Sequence, residues 1–320
     1  MSRRARWRPL YFSETRSSML PPGVRVFERG WLSSNNVLLV GDGPATLIDS
    51  GYCTHAAQTL ALLKDALQGR PLELLLNTHL HSDHCGGNAA LQDEYANIQT
   101  LVPSGLFGAV REWDPWVLSY EPTGQSCPRF AAEDMLRADQ CILIGERNWE
   151  VHAAPGHDPH ALIFFEPQSR TLISADALWA SGFGVVFPEL EGEDAFGFVA
   201  QTLDLIERLD PALVIPGHGP VFTEVANALA IARQKLDGFV KNPLKHARHS
   251  AKVLLKYKLL EQRRMSMDAL LGWTNGTSHF RTIHSRWFGE QSLSLWIGGL
   301  ISDLARSNAL EIRNGFLIDA

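Results

Sequence analysis

The sequence lacks any apolar run close to the roughly 18 to 20 residues that a helix needs to cross a bilayer, so we expect no transmembrane helix. It also lacks a secretory signal, because the first sixteen residues carry five arginines with no apolar stretch behind them. Both absences argue against membrane and exported proteins. We therefore predict a cytoplasmic protein that does not associate with membranes.

Cysteine is scarce and is not arranged for redox exchange or for a zinc ribbon. The four cysteines lie 32, 42 and 14 residues apart along the chain, and none belongs to a CxxC pair. This spacing argues against a zinc ribbon and against a thioredoxin-like motif. Unpaired cysteines without a signal peptide are typical of proteins in the reducing cytosol.

The chain also carries little net charge. Its formal charge of −6 argues against a general electrostatic attraction for nucleic acid. The charge is unevenly distributed, however, because ten Lys or Arg residues oppose two acidic residues between Arg233 and Arg264. That stretch is about +8 and the remainder of the chain about −14. Any attraction for an anionic partner would therefore be local to this stretch.

What is present is an ordinary globular composition, with 45% hydrophobic and 20% charged residues. A chain of 320 residues suffices for one large domain, or for a domain of about 200 residues and a smaller one. The hydrophobic pattern changes near residue 224, which favours two domains.

In the first part of the chain, short apolar strands alternate with amphipathic helices. A hairpin is predicted over 37–40 and 45–49, a helix over 56–68 and a buried strand over 72–76. Later elements are predicted at 140–144, 149–153, 161–165, 171–174 and 213–215, with a helix from its N-cap Asp194 to Leu209. This order indicates an α/β fold, in which strand ends carry the functional residues.

The second part of the chain is predicted to be helical. The apolar spacing favours helices over 247–262, 266–271, 278–287 and 292–306. A small hairpin over 310–318, with Asn314-Gly315 as its turn, closes the chain. Several helices followed by a hairpin resemble a winged helix.

The most informative segment is THLHSDHCGG, from Thr78 to Gly87, which holds three histidines and an aspartate within six residues. His79 and His81 alternate as on an extended chain, so both imidazoles are expected on one side. Asp83 and His84 follow where the chain turns away, so they can serve a second point a few ångströms off. Imidazole nitrogens and a carboxylate form a mixed donor set that suits zinc. The segment therefore predicts a metal site.

Three later positions fit the same site. His157 lies in PGHDPH after a predicted strand, Asp176 ends another strand, and His218 follows a third in PGHG. A single histidine at a strand end is more often a satisfied polar group than a ligand. Four stretches of this kind in one chain favour a shared metal centre.

The order of these motifs resembles the metallo-β-lactamase superfamily, in its glyoxalase II-like branch, over residues 24–222. The resemblance implies an α/β fold in which residues 24–223 form an αββα sandwich. Residues 1–23 would be an N-terminal tail or edge strand, and 224–320 a small helical, winged-helix-like domain. A hydrolase followed by such a domain is also similar to lactamase-like endoribonucleases.

The resemblance further implies two divalent metal ions, zinc first and iron or manganese as alternatives. Seven ligands are implied: His79, His81 and His157 for one ion, Asp83, His84 and His218 for the other, and Asp176 between the two. Asp49, in LIDSG, would support a ligand histidine through a hydrogen bond.

The implied activity is that of a metal-dependent hydrolase, an enzyme that attacks a small-molecule thioester, ester or lactone with a metal-bridging hydroxide. Two cations about 3.5 to 4 Å apart can lower the pKa of a shared water from about 15.7 towards 7. Asp83 would be both a ligand and a catalytic residue that orients the hydroxide. Only 41 residues separate Asp176 from His218, too few for the large inserted domain of the nuclease branch.

Two other activities remain open at this point. The first is an endoribonuclease or phosphodiesterase that acts on single-stranded RNA, and the second is a mononuclear iron persulfide dioxygenase. The metal ligands alone do not separate these activities from the hydrolase.

Contacts with the substrate are less clearly indicated by the sequence. His160 follows His157 by three residues, whereas glyoxalase II-like members place a histidine at the fourth, so both a catalytic and a structural role remain open. Trp113, Trp116 and Tyr120 lie in an irregular aromatic segment over 103–135. Such a segment is either a substrate-pocket loop or a cover for the edge of the domain.

The C-terminal part also allows two interpretations. Arg281, His284 and Arg286, with the basic stretch before them, could contact phosphates, which makes RNA a candidate partner. Alternatively, this part packs on the hydrolase, shapes its pocket or forms a dimer, and we expect a homodimer. Trp287 and Trp296 are expected in the hydrophobic core.

Overall fold

The computed structural model describes residues 19–320, in which two β-sheets pack face to face with helices on both outer sides. The strands of the first sheet, in spatial order, are β1 (Val24–Phe27), β2 (Asn36–Leu39), β3 (Ala45–Ile48), β4 (Leu72–Leu76), β5 (Gln99–Pro103) and β6 (Asp134–Leu136). The first three pair antiparallel, and β4, β5 and β6 then add in parallel.

The second sheet is built from the later strands. These are β7 (Cys141–Ile144), β8 (Arg147–Ala153), β9 (Leu162–Glu166), β10 (Thr171–Ala175) and β11 (Leu213–Pro216). Strands β7 to β10 form an antiparallel meander, and β11 pairs parallel to β10 at the edge. Strands β4, β8, β10 and β11 all end at the same side of the sandwich, where the predicted ligands follow them.

Helices cover both sheets and form the C-terminal part of the chain. They are α1 (Ala56–Leu67), α2 (Ser82–Cys85), α3 (Asn88–Glu94), α4 (Phe107–Glu112), α5 (Tyr120–Thr123), α6 (Phe187–Glu191), α7 (Phe196–Leu209), α8 (Val225–Lys241), α9 (Pro243–Gln262), α10 (Met267–Gly276), α11 (Ser278–Trp287) and α12 (Leu293–Arg306). Within residues 19–320, none of them combines the length and the apolar character needed to span a bilayer.

The principal core lies between the two sheets. Leu39 and Leu76 from the first sheet pack with Trp149, Phe164 and Ile215 from the second, and all five are buried. Because side chains alternate along a strand, Leu75 points the other way and packs under α1. This αββα arrangement is the fold that the family resemblance implies.

Most predicted strands and helices of the sandwich are confirmed within one or two residues. The sequence did not predict β1, β5, β6, α8 or the short helices α2 to α6. The apolar residues of α8 pack against α7 in the cluster that covers the second sheet, with Ala228, Ala232 and Leu236 among them. Small alanines make this face only weakly hydrophobic, which is why its period did not stand out. Helix α8 therefore packs with the sandwich, whereas α9 contributes to a second hydrophobic cluster with the later helices.

The predicted cap of α7 is wrong. The helix begins at Phe196, and Asp194 makes no capping hydrogen bond. Instead, Glu189 at the preceding helix α6 accepts hydrogen bonds from the backbone N–H groups of Ala195 and Phe196, at 2.9 and 3.3 Å. A carboxylate that comes from another helix satisfies the free N–H groups just as a local cap does.

The C-terminal part combines α9 to α12 with a small sheet in the order β12-β14-β13. Its strands are β12 (Arg264–Ser266), β13 (Leu310–Arg313) and β14 (Phe316–Asp319). The predicted hairpin is present, with left-handed φ values of 49° at Asn314 and 76° at Gly315. The sequence did not predict β12, and the winged-helix resemblance stays a prediction.

This C-terminal part packs directly on the sandwich. Val185 lies just before α6 and Leu190 lies within it. Both belong to the same core as Leu255, Phe280 and Trp296. The buried Trp296 and the partly buried Trp287 confirm the prediction that both tryptophans serve the core. Helix α9 therefore lies against the side of the sandwich where the strands end.

Candidate metal centre

The structure brings the seven predicted ligands together into two adjacent groups. His79, His81 and His157 form one group, and Asp83, His84, Asp176 and His218 form the other. Within each group, the candidate ligand atoms all lie within 4.8 Å of one another. Each of the seven side chains comes from a strand end or from the short helix α2.

The segment after β4 holds four of these side chains. His81 has extended backbone angles and starts α2, so that Asp83 and His84 turn towards the second group. The turn is fixed from outside, because the Asp83 carbonyl accepts a hydrogen bond from Ser34 N at 2.9 Å. A Cβ atom at Gly86 would lie 2.6 Å from the backbone nitrogen of Cys53, so only glycine fits at this position.

His157 follows β8 and is held by a backbone carbonyl. Its Nδ1 donates to the Val185 oxygen at 2.5 Å, which leaves the Nε2 lone pair to face the centre. There, Nε2 lies 2.8 Å from His81 Nδ1. A Cβ atom at Gly184 would lie 2.4 Å from the His157 ring, so glycine is required for this approach.

His84 is oriented by Asp49, which follows β3. The Asp49 Oδ2 atom lies 2.7 Å from His84 Nδ1, and its Oδ1 accepts from the Thr78 backbone N–H at 2.9 Å. Thr78 also donates its hydroxyl to Oδ2 at 2.8 Å. With Nδ1 occupied in this way, the Nε2 atom of His84 faces the second group.

Asp176 lies between the two groups. One carboxylate oxygen, Oδ2, is 3.3 Å from His157 Nε2 in the first group. The other, Oδ1, is 3.4 Å from His84 Nε2 and 3.8 Å from His218 Nε2 in the second. Each oxygen therefore faces a different group, which is the geometry that a bridging ligand needs.

The backbone is strained at two points of the centre. Asp49 and Ala175, directly before Asp176, have left-handed φ values of 59° and 46°. Non-glycine residues adopt such values at a cost of the order of 1 to 3 kcal/mol. A Cβ atom at Gly217 would lie 2.2 Å from Asp176 Oδ1, so the chain also passes very close to this carboxylate.

Electrostatics keep His79, His81 and Asp176 in states that can bind a cation. Burial lowers the pKa of His79 well below its ordinary value and that of His81 to about 4, so both rings are neutral at pH 7. Burial also opposes ionisation of Asp176, yet His218, His84 and His157 hold its pKa well below its usual range. Neutral imidazoles and ionised carboxylates are the forms that bind metal ions.

The donor set fits two divalent metal ions. The Nε2 atoms of His79 and His84 are buried and have no hydrogen-bond partner. Buried polar atoms without a partner are costly, and a cation would satisfy both lone pairs. The three imidazoles of the first group and the mixed imidazole–carboxylate set of the second both suit zinc or another transition metal.

A cavity of about 770 Å³ opens directly above the two groups. His81, Asp83, His157, Asp176 and His218 reach its floor. Its walls carry the aromatic residues Trp31, Trp179, Phe183 and Phe187, and the basic residues Lys235, His249, Lys252 and Lys256. Since α8 and α9 supply all four basic residues, these two helices shape the cavity.

Three residues of the cavity that contact the candidate ligands were not predicted. The Trp31 ring stacks on His218, with centroids 5.5 Å apart and planes at 10°, and Trp179 Nε1 donates to Asp176 Oδ1 at 3.3 Å. From α9, the Tyr257 hydroxyl donates to Asp83 Oδ2 at 2.6 Å. These residues lie outside the histidine motifs, so no local signal in the sequence marks them.

The other residues predicted to contact substrate lie elsewhere. His160 is exposed and does not line the cavity, because its ring lies against Gly105. Trp113 packs with Tyr120 and Phe130 in a separate hydrophobic cluster, and Trp116 is 57% exposed. These aromatic residues do not line the cavity, and the aromatic segment contributes Thr123 and Gln125 to it instead.

Much of the basic stretch is neutralised within the protein. Arg233 pairs with Asp204 and Glu207, and Arg248 pairs with Asp303. The pairs Lys256–Asp319 and Lys258–Glu261 account for two more cations. Among the residues predicted to meet phosphate, Arg281 donates to the Asn275 carbonyl and Arg286 stacks on Trp287. The positive charge that the sequence shows is therefore not a continuous exposed surface.

Comparison with known protein families agrees with the geometry. The sequence model described as the metallo-beta-lactamase superfamily matches residues 29–218. This match spans more than half of the chain and includes all seven candidate ligands and Asp49.

Individual relatives are distant. The chain is 24% identical over 230 residues to the beta-lactamase-like protein 2 homolog of Caenorhabditis elegans, an alignment that covers 71% of this chain and 68% of that one. It is 29% identical over 209 residues to a hydroxyacylglutathione hydrolase of Anaeromyxobacter dehalogenans, with coverage of 64% and 70%. Both alignments leave about a third of the relative unmatched.

The fold recurs in solved structures. The crystal structure of a beta-lactamase domain protein from Burkholderia ambifaria superposes with a TM-score of 0.56 over 94% of this chain and 93% of that one. At 21% sequence identity, this likeness shows the fold alone. Its coverage extends over the C-terminal helices as well as the sandwich.

Proposed function

Because the chain belongs to the metallo-beta-lactamase superfamily, we propose that it is a hydrolase that uses two divalent metal ions to cleave a small-molecule thioester, ester or lactone. The observation that carries the proposal is the position of Asp176, whose two carboxylate oxygens face different ligand groups. The second group has four candidate ligands of its own and the first has three, so each group can bind a metal ion. This favours two metal ions over one. Zinc is the metal we propose first.

Two ions held in this way would supply hydroxide at neutral pH, since a shared pair of cations lowers the pKa of water towards about 7. The chain's own residues would orient the reactants. Asp83 lies at the cavity floor, where its Oδ2 accepts a hydrogen bond from the Tyr257 hydroxyl. From this position, its carboxylate would accept a hydrogen bond from the attacking hydroxide and orient it. Trp31 and Trp179 flank His218 and limit the access of bulk water from that side.

The cavity walls favour a substrate with an apolar segment and an anionic group. Phe183 and Phe187 offer apolar surface, while Lys252 reaches the cavity with 32% of its side chain exposed and a distant ion pair of 3.9 Å to Asp303. Burial, together with Lys235, Lys252 and Lys245, lowers the pKa of His249 to about 4. The cations that surround this ring make the wall electropositive, which attracts anions.

Hydrolysis of RNA is less well supported by the surface. The basic residues of 233–264 are largely paired with carboxylates, so they offer few free contacts to a phosphate backbone. The similarity to a hydroxyacylglutathione hydrolase also favours a thioester. We therefore propose the small-molecule activity ahead of the ribonuclease and the persulfide dioxygenase.

The test is an assay of the zinc-reconstituted protein against a thioester, an ester, a lactone, a phosphodiester and single-stranded RNA. Oxygen consumption with a persulfide is measured in parallel on the iron form. Hydrolysis of the thioester, ester or lactone that a chelator abolishes and zinc restores would support the proposal. His157→Ala should abolish this activity. His152→Ala should retain it, because His152 lies in the preceding strand β8 and pairs with Glu150. Cleavage of RNA alone, or oxygen consumption alone, would overturn the proposal.

A further inference from the structure

Helix α9 reaches the metal centre through one side chain. The Tyr257 hydroxyl donates to Asp83 Oδ2 at 2.6 Å, although the two residues are 174 positions apart in the chain. The same oxygen lies 3.0 Å from His218 Nε2 and 3.7 Å from His84 Nε2. Tyr257 therefore contacts the carboxylate oxygen on which the second ligand group converges.

Helix α9 makes a second contact with the sandwich one helical turn later. Glu261 lies four residues on, on the same face of α9, and accepts a hydrogen bond from the Tyr52 hydroxyl at 3.0 Å. Ser126 also donates its hydroxyl to Glu261, at 3.4 Å. These contacts hold α9 against the sandwich without the Tyr257 hydroxyl, which instead bonds to Asp83 at the cavity floor.

A hydrogen bond to a ligand carboxylate changes how that carboxylate binds a cation. The donor restricts the side chain to one orientation and leaves the other lone pairs of the group for the metal. Removal of such an outer hydrogen bond typically weakens metal binding by about 10- to 100-fold. The effect should be confined to the ion that Asp83 contacts, because Tyr257 touches no residue of the first group within the described contacts.

We propose that Tyr257 is a positioning residue of the second metal site, through which the C-terminal helices fix Asp83 and set the affinity of that site. The inference rests on the proposed function, since it requires that Asp83, His84 and His218 bind a metal ion. It adds a role for the C-terminal part of the chain that neither the histidine motifs nor the sandwich contains. Displacement of α9 would then release the second ion before the first.

The test is a cobalt(II) titration of the metal-free full chain, followed by visible absorption and calorimetry. In Tyr257→Phe, the dissociation constant of one ion should rise about 10- to 100-fold and that of the other should stay unchanged. The absorption bands of the weakened site should shift, because the Asp83 carboxylate is no longer held. Activity is then measured with a substrate that the protein hydrolyses, at a zinc concentration that does not saturate the weakened site. Under these conditions, Tyr257→Phe should lower kcat by a larger factor than it changes KM.

Tyr52→Phe is the matched control. It also removes one phenol hydroxyl that bonds to a carboxylate between α9 and the sandwich, but Tyr52 does not line the large cavity. Because Ser126 still donates its hydroxyl to Glu261 in this variant, α9 should stay docked, and both dissociation constants should match those of the wild type. Tyr257→Gln, which retains a donor, should recover part of the lost affinity. If Tyr257→Phe does not fold, Tyr257→Leu, which also lacks a donor, replaces it as the test and should show the same loss at one site.

The outcomes separate the two proposals. Two ions bound with wild-type constants in Tyr257→Phe would overturn the role of Tyr257 and leave the hydrolase proposal intact. An equal loss in Tyr52→Phe would overturn it too, since the effect would then come from the docking of α9 in general. Failure of the wild-type protein to bind a second ion would instead contradict the proposed function itself.

Discussion

Asp49 and His84 form a hydrogen bond of 2.7 Å between Oδ2 and Nδ1, completely enclosed behind the second ligand group. Asp49 adopts a left-handed backbone conformation to make this contact. Burial opposes protonation of His84, but Asp49, Asp83 and Asp176 together raise its pKa well above the ordinary value. A metal ion at Nε2 would take the place of the proton that these carboxylates favour.

We predict that Asp49→Asn weakens metal binding at the second group by about 10- to 100-fold, because a neutral amide orients the imidazole less firmly. Isothermal titration of the metal-free protein with zinc measures this change. Asp139→Asn is the control, since Asp139 is exposed and has a similar left-handed φ of 65°. Equal affinities in the wild type and Asp49→Asn would show that the hydrogen bond does not support the metal site.

Trp31 stacks on His218 although its own side chain is 55% exposed. We predict that Trp31→Ala raises KM by about 2- to 10-fold, the loss expected for one aromatic contact of about 0.5 to 1.5 kcal/mol. The melting temperature should change little, since the residue is not part of the core. Trp116→Ala removes an equally exposed tryptophan outside the cavity and should leave KM unaltered. An unaltered KM in Trp31→Ala as well would exclude this ring from the substrate pocket.

Lys252 provides a third prediction, on the charge of the substrate. Lys252→Met should raise KM for an ester that carries a carboxylate by about 10-fold and leave KM for its neutral methyl ester unchanged, because the lost interaction is electrostatic. The difference should shrink as salt is added. Lys64→Met, on the exposed side of α1, serves as the control. Equal effects on both substrates would show that Lys252 contributes packing only.

His246 makes the stability of the protein depend on pH. Burial, with smaller contributions from His249 and Lys235, lowers the pKa of His246 to about 3, against 6.5 for the free side chain. Below pH 6.5, His246 therefore binds a proton in the unfolded chain but stays neutral in the folded protein. The stabilisation is complete above pH 6.5 and is lost as the pH falls from 6.5 towards 3, by at most about 1.4 kcal/mol per pH unit.

The measurement is urea unfolding of the metal-free wild type and His246→Gln between pH 7.5 and 5. The free energy of unfolding of the wild type should approach that of His246→Gln as the pH falls below 6.5, because the variant lacks the buried imidazole. The other histidines titrate in both proteins and cancel in the difference. A difference that stays constant over this range would contradict the low pKa of His246.

Much of the metal centre could be predicted because its donors are close in sequence or follow strands. His79, His81, Asp83 and His84 occupy one short segment, so their pattern is recognisable without knowledge of the fold. The alternation of short apolar strands and helices predicted an α/β fold, and the resemblance to the metallo-β-lactamase superfamily implied the layers of the sandwich and the full set of seven ligands. Local chemistry was sufficient for the histidine segment, and the hydrophobic period was sufficient for the individual strands and helices.

The cavity could not be predicted in the same way, because its walls come from distant parts of the chain. Tyr257 lies in a helix whose sequence shows only basic charge, and nothing local indicates that its hydroxyl meets Asp83. Conversely, Trp113 and Tyr120 have the composition of a pocket but pack on each other and on Phe130. Which face of a helix or loop reaches the site depends on tertiary packing, which composition does not record.

The most direct test is to count the metal ions bound per chain after zinc reconstitution and removal of excess ion, by inductively coupled plasma mass spectrometry with amino-acid analysis. We expect two ions in the wild type and one in His218→Ala, because that variant removes a ligand from the second group only. Wild-type protein that retains no ion, or the same count in His218→Ala as in the wild type, would contradict a two-metal centre built from these seven side chains.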